Sequence, residues 1–344
     1  MRKTERFFQS VLLFILIVFL SWSCSGNSPP MQPEATSPVS ANCRMIAHAK
    51  GQTEICGVPR QVAALSPYIL DMMLSLGVEP AGYSAADVTS DLLRQSKFDQ
   101  PSQQIPYLGS RITTQPVNLG DRHSPSLEAL AQLDPDVILG EDWQGSQSQY
   151  ELLSQIAPTV LVDDEAGGWQ QSIRVVAQVL DRAAQLEQTM AEYEAHIAEV
   201  RQQLAPVTEK YPRVLLLSSG NLKREIRTYY CSEFSRLLKA LGFQLVRQKG
   251  NSPECSSQLS VEVLPQLNAD IIMVVAYDET EQGDDQGWQA RRREWSKIPT
   301  LQQIPVTRAG RVYFIDARLS TMRGPLAANV ILELYLDRLA PLIR

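Results

Sequence analysis

The sequence is short of the residues that most site chemistry needs. It holds only three histidines, and no two of its five cysteines are spaced Cys-x-x-Cys, so no zinc centre of the common kinds is signalled. GxSxG, the P-loop, HExxH and GxGxxG are all missing, which removes the main sequence signatures of enzymes. An exported hydrolase whose groups meet only in space stays open as the catalytic alternative. Basic residues number 32, but they form no long stripe and the net charge is -6, so a grip on nucleic-acid phosphates is not expected. Past residue 24 no apolar run approaches the ~20 residues that cross a bilayer. Asp278 to Gln289 has glycine at the sixth place of a calcium loop, but Gln282 at the fifth and Gln289 at the twelfth argue against one. It reads as an exposed acidic loop.

What is present is an ordinary globular composition, 44% hydrophobic and 20% charged over 344 residues, enough for two or three compact units. Residues 1–24 form an export signal: Arg2, Lys3 and Arg6 precede an apolar run from Val11 to Leu20. Small residues before Cys24 resemble the cleavage box of bacterial lipoproteins, in which that cysteine carries the lipid, although Trp22 departs from the box. Residues 25–42, rich in Ser, Pro and Asn, read as a solvated tether. With Cys24 used otherwise, four cysteines remain. Cys43 with Cys56 and Cys231 with Cys255 is the simplest pairing, each closing a short loop; two other connectivities and a zinc site compete with it.

Short apolar runs alternate with helical spacing from Arg60 onward, as in largely parallel sheets covered by helices. Strands are expected at Arg60 to Ser66, Pro80 to Tyr83, Tyr107 to Gly109, Val137 to Gly140 and Thr159 to Val162. A second series runs at Arg213 to Gly220, Phe243 to Val246, Asp270 to Ala276 and Arg311 to Asp316, with a helix from Pro325 to Leu339. Between the series, Trp169 to Leu204 contains neither Gly nor Pro and keeps an apolar three-four spacing. One helix of about 50 Å is the economical reading. The expected organisation is an α/β protein with two Rossmann-like lobes: an N-terminal lobe at 43–168, a connecting backbone helix at 169–205 and a C-terminal lobe at 206–344. The lobes echo each other: SLEALAQLDPDVIL from Ser126 matches SVEVLPQLNADIIM from Ser260 at seven positions, Glu128 with Glu262 among them.

Those two segments, the two-lobe order, the single connecting helix and the strings IAPTV and GRVYFI resemble the solute-binding proteins of bacterial ABC importers for ferric siderophores and vitamin B12. The resemblance implies an extracytoplasmic lipoprotein, anchored through Cys24, that passes a ferric siderophore or ferric citrate-type chelate to an ABC permease. It implies no catalysis, and no protein-ligated metal or resident cofactor, since the Fe3+ arrives inside its chelator. Cobalamin or heme is the alternative ligand. It also implies that Glu128 and Glu262 pair with permease arginines; read on the residues alone, each merely complements the dipole of a helix's first turn. A monomer is expected.

The ligand site follows from the strands, since open α/β sheets bind at their carboxyl ends. The loops leaving those ends nominate Tyr68, Arg111 and Trp143 in the first lobe, and Arg227, Tyr229, Tyr277 and Arg318 in the second, with Asp142, Tyr230 and Arg323 beside them. Guanidinium forks suit carboxylate or hydroxamate oxygens, and aromatic faces suit a chelate's apolar arms. His48, His123 and His196 are read as surface or helix-face residues, and Arg291 to Arg293 as a solvated helix face.

Overall fold

In this computed structural model residues 42–86, 90–163, 168–247, 255–277 and 287–343 are described. The expected export signal, Cys24 and all of the expected tether but Asn42 lie outside them, as does the expected acidic loop through residue 286. Among the described residues no helix is long and apolar enough to cross a membrane.

The chain opens with an antiparallel hairpin, β1 (Cys43–His48) and β2 (Gly51–Cys56), closed by the Cys43–Cys56 disulfide. The first lobe is built on β3 (Val62–Ala64), β4 (Gly82–Ala85), β5 (Val117–Asp121), β6 (Ser124–Pro125), β7 (Val137–Glu141) and β8 (Thr159–Val162), in the order β6-β5-β4-β3-β7-β8. All neighbours are parallel except β6. The second lobe uses β9 (Arg213–Asn221), β10 (Glu225–Thr228), β11 (Gln244–Leu245), β12 (Gln258–Leu259), β13 (Ile271–Ala276) and β14 (Val312–Asp316). Its order is β12-β10-β9-β13-β14, with β11 also on β9; β11, β9, β13 and β14 are parallel and the β9–β10–β12 edge is antiparallel. Cys231–Cys255 closes the second disulfide. Both pairings read from the sequence are thus formed.

Residues of one strand alternate between two cores. Val62, Ala64, Val137 and Leu139 face the same apolar cluster as Val214, Leu216, Ile271 and Met273 of the other lobe. Ala63, Leu65 and Ile138 face a separate core of the first lobe, and Leu215, Leu217, Ile272 and Val274 one of the second. Burial on both faces is why these strands read as unbroken apolar runs. The shared cluster takes in α1 (Pro67–Ser75), α4 (Trp169–Leu180), α5 (Ala183–Lys210), α6 (Glu233–Ala240) and α8 (Pro325–Leu339), so one core runs through both lobes. The remaining longer helices are α2 (Leu127–Leu133), α3 (Gln147–Ile156) and α7 (Gly287–Lys297).

The internal echo survives in three dimensions. Ser126 begins α2, and Ser260 begins a 3-10 turn, Val261–Gln266, that contains Pro265. Asp134 and Asn268, at equivalent places, both adopt the left-handed conformation, which short polar side chains tolerate. Asp136 then accepts the backbone N–H of Gln61 at 2.8 Å, and Asp270 that of Arg213 at 2.9 Å, so each carboxylate fastens the start of the neighbouring parallel strand.

The expected single helix from Trp169 is in fact two. Asp181 (φ 55°) turns left-handed after α4, and the Arg182 N–H closes on the Ala177 carbonyl at 2.9 Å. The last carbonyls of α4 are taken from a distance: Arg44 of β1 donates to Gln178 O at 2.8 Å and Val179 O at 2.6 Å. That partner, 134 residues earlier, is why the local sequence gave no sign of a break. The connecting helix is α5 alone, 28 residues, about 42 Å. It also runs past the expected end at 205, because Pro206 lies on an exposed face and the carbonyl it leaves unpaired can meet water.

Because α5 is not the whole strut, the lobes need another joint, and Asp71 supplies it. Helix α8 starts with Gly324 and Pro325, so it has no side-chain cap of its own. Asp71, fully buried on α1, accepts the N–H groups of Leu326 at 2.9 Å and Ala327 at 2.8 Å, the second and third positions that a cap residue normally serves. A side chain at Gly324 would collide with that carboxylate. Burial pushes the Asp71 carboxyl up to about 7, against hydrogen bonds from Leu326, Ala327 and Gly324 that hold it down. The folded form therefore holds its proton above the ordinary carboxylate range, and the stability tied to that proton is lost as pH rises from about 4 to about 7, at about 1.4 kcal/mol per unit. Urea unfolding of the wild type and Asp71→Asn is expected to show a difference in stability that shrinks from pH 5 to pH 8; a pH-independent difference would refute this account of Asp71.

Candidate ligand site between the lobes

The carboxyl ends of the two sheets meet. From the first lobe come the start of α1 after β3, the segment holding Tyr107 between β4 and β5, the loop after β5, and the end of β7; from the second come the end of β14 and the turn Leu319–Met322. Three guanidinium groups lie over three aromatic rings there: Arg323 over Tyr68 at 4.6 Å, Arg318 over Tyr107 at 5.9 Å, and Arg122 over Trp143 at 5.3 Å. The first two pairs cross between the lobes. A guanidinium stacked on a ring keeps its edge donors for oxygen ligands.

Each of the two second-lobe arginines also meets a carboxylate. Arg318 donates to Asp316 Oδ2 through Nε at 2.8 Å and Nη2 at 2.6 Å, and the Tyr107 hydroxyl donates to the same oxygen at 2.8 Å. Tyr107 does so from a left-handed backbone (φ 62°), a conformation that costs an aromatic residue energy. Burial and the nearby Asp316 raise its phenol well above the usual range. Arg323 pairs with Glu141, the fully buried last residue of β7. Glu141 Oε2 also receives the Trp143 indole N–H at 3.0 Å, while Oε1 is buried without a hydrogen-bond partner among the described residues. Gln144 fixes the loop: its carbonyl accepts the Glu141 N–H at 2.8 Å, and its amide donates to Leu65 O and Arg122 O at 2.7 Å each.

Of the residues nominated from the sequence, the structure brings together Tyr68, Trp143 and Arg318, with Tyr277 at the end of β13, where its N–H meets Ser219 O at 3.3 Å. Arg111 loses its rationale. Residues Tyr107 to Gly109 are not a strand; Arg111 is exposed at the end of a 3-10 turn, Gly109–Arg111, and the real strand is β5. Its Asn118 and Gly120 hid it from an apolar-run reading, and the residues that leave it are Arg122 and His123. Tyr229 is also misplaced. The chain leaving β9 folds back as β10, so Tyr229 reaches the level of Leu216 in mid-sheet and packs beside Phe234 in the shared core. Arg227, on β10 itself, is held by Glu225 at 3.1 Å and Ser256 at 3.0 Å. Tyr230 donates to Val246 O at 2.7 Å and is buried.

The sequence reading missed Tyr107 and Arg122 and did not foresee the acidic partners. Glu141 and Asp316 each end an apolar strand with a carboxylate, and that was the available signal. Two histidines serve structure: His48 meets Thr53 at 2.9 Å with its imidazole pushed down by burial, and His196 on α5 meets Asn329 and Glu333 of α8 at 2.9 Å each, while the exposed His123 lies against Trp143. In α7, Arg292 and Arg293 are exposed as expected, but Arg291 turns inward to Gly220 O and Glu294. The only cluster of candidate metal ligands among the described residues, Cys43, Glu54 and Cys56, has its sulfurs in a disulfide. Glu128 and Glu262 are both exposed, each in the first turn of its echoed element; Glu128 accepts from Gln132 at 3.2 Å, and hydrogen bonds from its own N–H and from Ser260 hold the Glu262 carboxyl below its usual range.

A family model described as periplasmic binding protein matches residues 62–319. The probable siderophore-binding lipoprotein YfiY of Bacillus subtilis (strain 168) is 22% identical over 333 residues, 94% of this chain and 95% of its own length. The Fe(3+)-citrate-binding protein YfmC of the same organism is 25% identical over 311 residues, 89% and 88% of the two chains. The crystal structure of Staphylococcus aureus SirA complexed with staphyloferrin B superposes with a TM-score of 0.66 at 22% identity, over 86% of this chain and 98% of that one. Likeness at that identity speaks for the two-lobed fold.

Arg323→Gln leaves Glu141 as a buried charge without its cation, whereas Glu141→Gln removes the charge. In urea unfolding at pH 7 the first is expected to cost about 3 kcal/mol and the second clearly less. Equal losses would mean that the pair is solvated and carries no such asymmetry.

Proposed function

We propose a function from the premise that the chain belongs to the periplasmic binding protein family. It captures a ferric siderophore or a ferric citrate-type chelate between its lobes, outside the cytoplasmic membrane, and delivers it to an ABC permease. The observation that carries this reading is the set of three guanidinium–ring pairs where the strands of both sheets end. Such pairs offer edge N–H donors to a chelate's outer oxygens and flat apolar faces to its arms. The siderophore and ferric citrate relatives support the same class of ligand. Iron enters as cargo already wrapped, so the protein needs no metal ligands and no resident cofactor, and the work is binding rather than catalysis.

Anchoring through Cys24 fits the small residues that precede it, and a monomer delivering from the membrane surface fits that anchor. Glu128 and Glu262 are the contacts proposed for cationic residues of the permease. Both are exposed, and the echo places one on each lobe, so a single rigid molecule presents two acidic points at once. The shared core and the Asp71 joint restrict the lobes to small changes of angle, because opening them widely would strip the α8 N–H groups of their acceptor.

Ferric citrate and a ferric tris-catecholate, titrated into the purified protein, are expected to quench its tryptophans saturably. Saturable binding of cobalamin alone would replace this reading with a different cargo. In cells, Glu128→Ala with Glu262→Ala is expected to abolish iron-chelate uptake at unchanged affinity; unaltered uptake would remove both residues from docking.

A further inference from the structure

Resting on the chelate-binding reading, we infer that Glu141 is an internal competitor for the ligand: it holds the Arg323 guanidinium across the gap, and an anionic chelate binds by taking that guanidinium from it. The two residues belong to opposite sheets, Glu141 ending β7 and Arg323 following β14 and its turn, so the ion pair ties the lobes at the place where the chelate must enter. Arg323 is held on the first lobe twice over, by this carboxylate and by the face of Tyr68 at 4.6 Å. A chelate oxygen can replace the first contact and leave the second in place.

Glu141 is built to give way. Only Oε2 is engaged, by Arg323 and Trp143, whereas Oε1 is buried with no hydrogen bond among the described residues. A buried carboxylate with half of its acceptor capacity unmet forms a poor resting pair, and a ligand with several well-placed oxygens improves on it. Nor can Glu141 follow the guanidinium when the lobes shift, because Gln144 pins its backbone to Leu65 and Arg122. Arg318 is held by Asp316 of its own lobe, so both of these second-lobe arginines reach the gap already neutralised by carboxylates of the chain. Such a site discriminates against weak or singly charged anions, which cannot displace an in-place carboxylate, and admits a polyanionic chelate.

The direction of a mutational effect tests this. Removing a competitor tightens binding, whereas removing a structural contact weakens it. With ferric citrate as probe, tryptophan quenching is expected to show about tenfold tighter binding for Glu141→Gln and about tenfold weaker binding for Arg323→Gln. The double variant is expected to match Arg323→Gln alone, since without the guanidinium there is nothing to compete for. Trp143→Phe is the control for the reporter beside the pair, and circular dichroism verifies folding; should Glu141→Gln not fold, Glu141→Asp, too short to hold Arg323 fully, is expected to bind ferric citrate more tightly than wild type. If the wild type binds ferric citrate and Glu141→Gln or its substitute binds it equally or less tightly, the competition is refuted while the chelate-binding function stands. If the wild type binds neither ferric citrate nor a ferric tris-catecholate, both fall.

Discussion

The architecture depends on one carboxylate that serves a helix to which it does not belong. Helix α8 lacks a capping side chain, and Asp71 provides the cap from the opposite lobe. A helix start left uncapped inside a core would hold buried N–H groups without acceptors, which few folds tolerate. The second lobe therefore cannot complete its last helix without the first lobe in position. The common core that runs from Met72 through Ile197 to Ile331 makes the same demand in apolar terms. Together they make a two-lobed chain behave as one body with a seam, and the seam opens onto the ends of both sheets.

That seam is where charge accumulates. Ending several parallel strands at one place gathers the loops that follow them, and here those loops deliver arginines from both sides along with the rings and acids that hold them. The guanidinium groups are placed before any ligand arrives, which lowers the entropy lost on binding, yet those of Arg318 and Arg323 are neutralised, which lowers their attraction for anions in general. Placement and neutralisation act in opposite directions on affinity and in the same direction on selectivity.

Much of this was legible in the sequence. Apolar runs located most strands because burial on both faces leaves few polar interruptions, and the echo at Ser126 and Ser260 announced the duplication that Asp134, Asn268, Asp136 and Asp270 carry out. Cysteine spacing made the two disulfides that form the simplest of three pairings, and the structure chose it. What stayed hidden was settled by residues distant in the chain. The end of α4 depends on Arg44, and the start of α8 on Asp71. Strand β5 escaped because Asn118 and Gly120 break its apolar run, and that single omission misplaced Arg111 and concealed Arg122. Reading the segment after β9 as a loop rather than a returning strand did the same for Tyr229. Topology, not composition, decides which end of a strand faces the seam.

The disulfide between the two ends of the opening hairpin has a mechanical meaning. Cys43 and Cys56 are directly opposed, and Gly57 leads straight into the first lobe. Tension applied to the chain ahead of Asn42 passes through the sulfur bridge to residue 56 and enters the lobe there, so the twelve residues between the bridged cysteines bear none of it. Arg44 lies within that bypassed segment. Its grip on the end of α4 is thereby insulated from whatever the leading chain is pulled by, and the angle between α4 and α5 is shielded from forces applied ahead of Asn42.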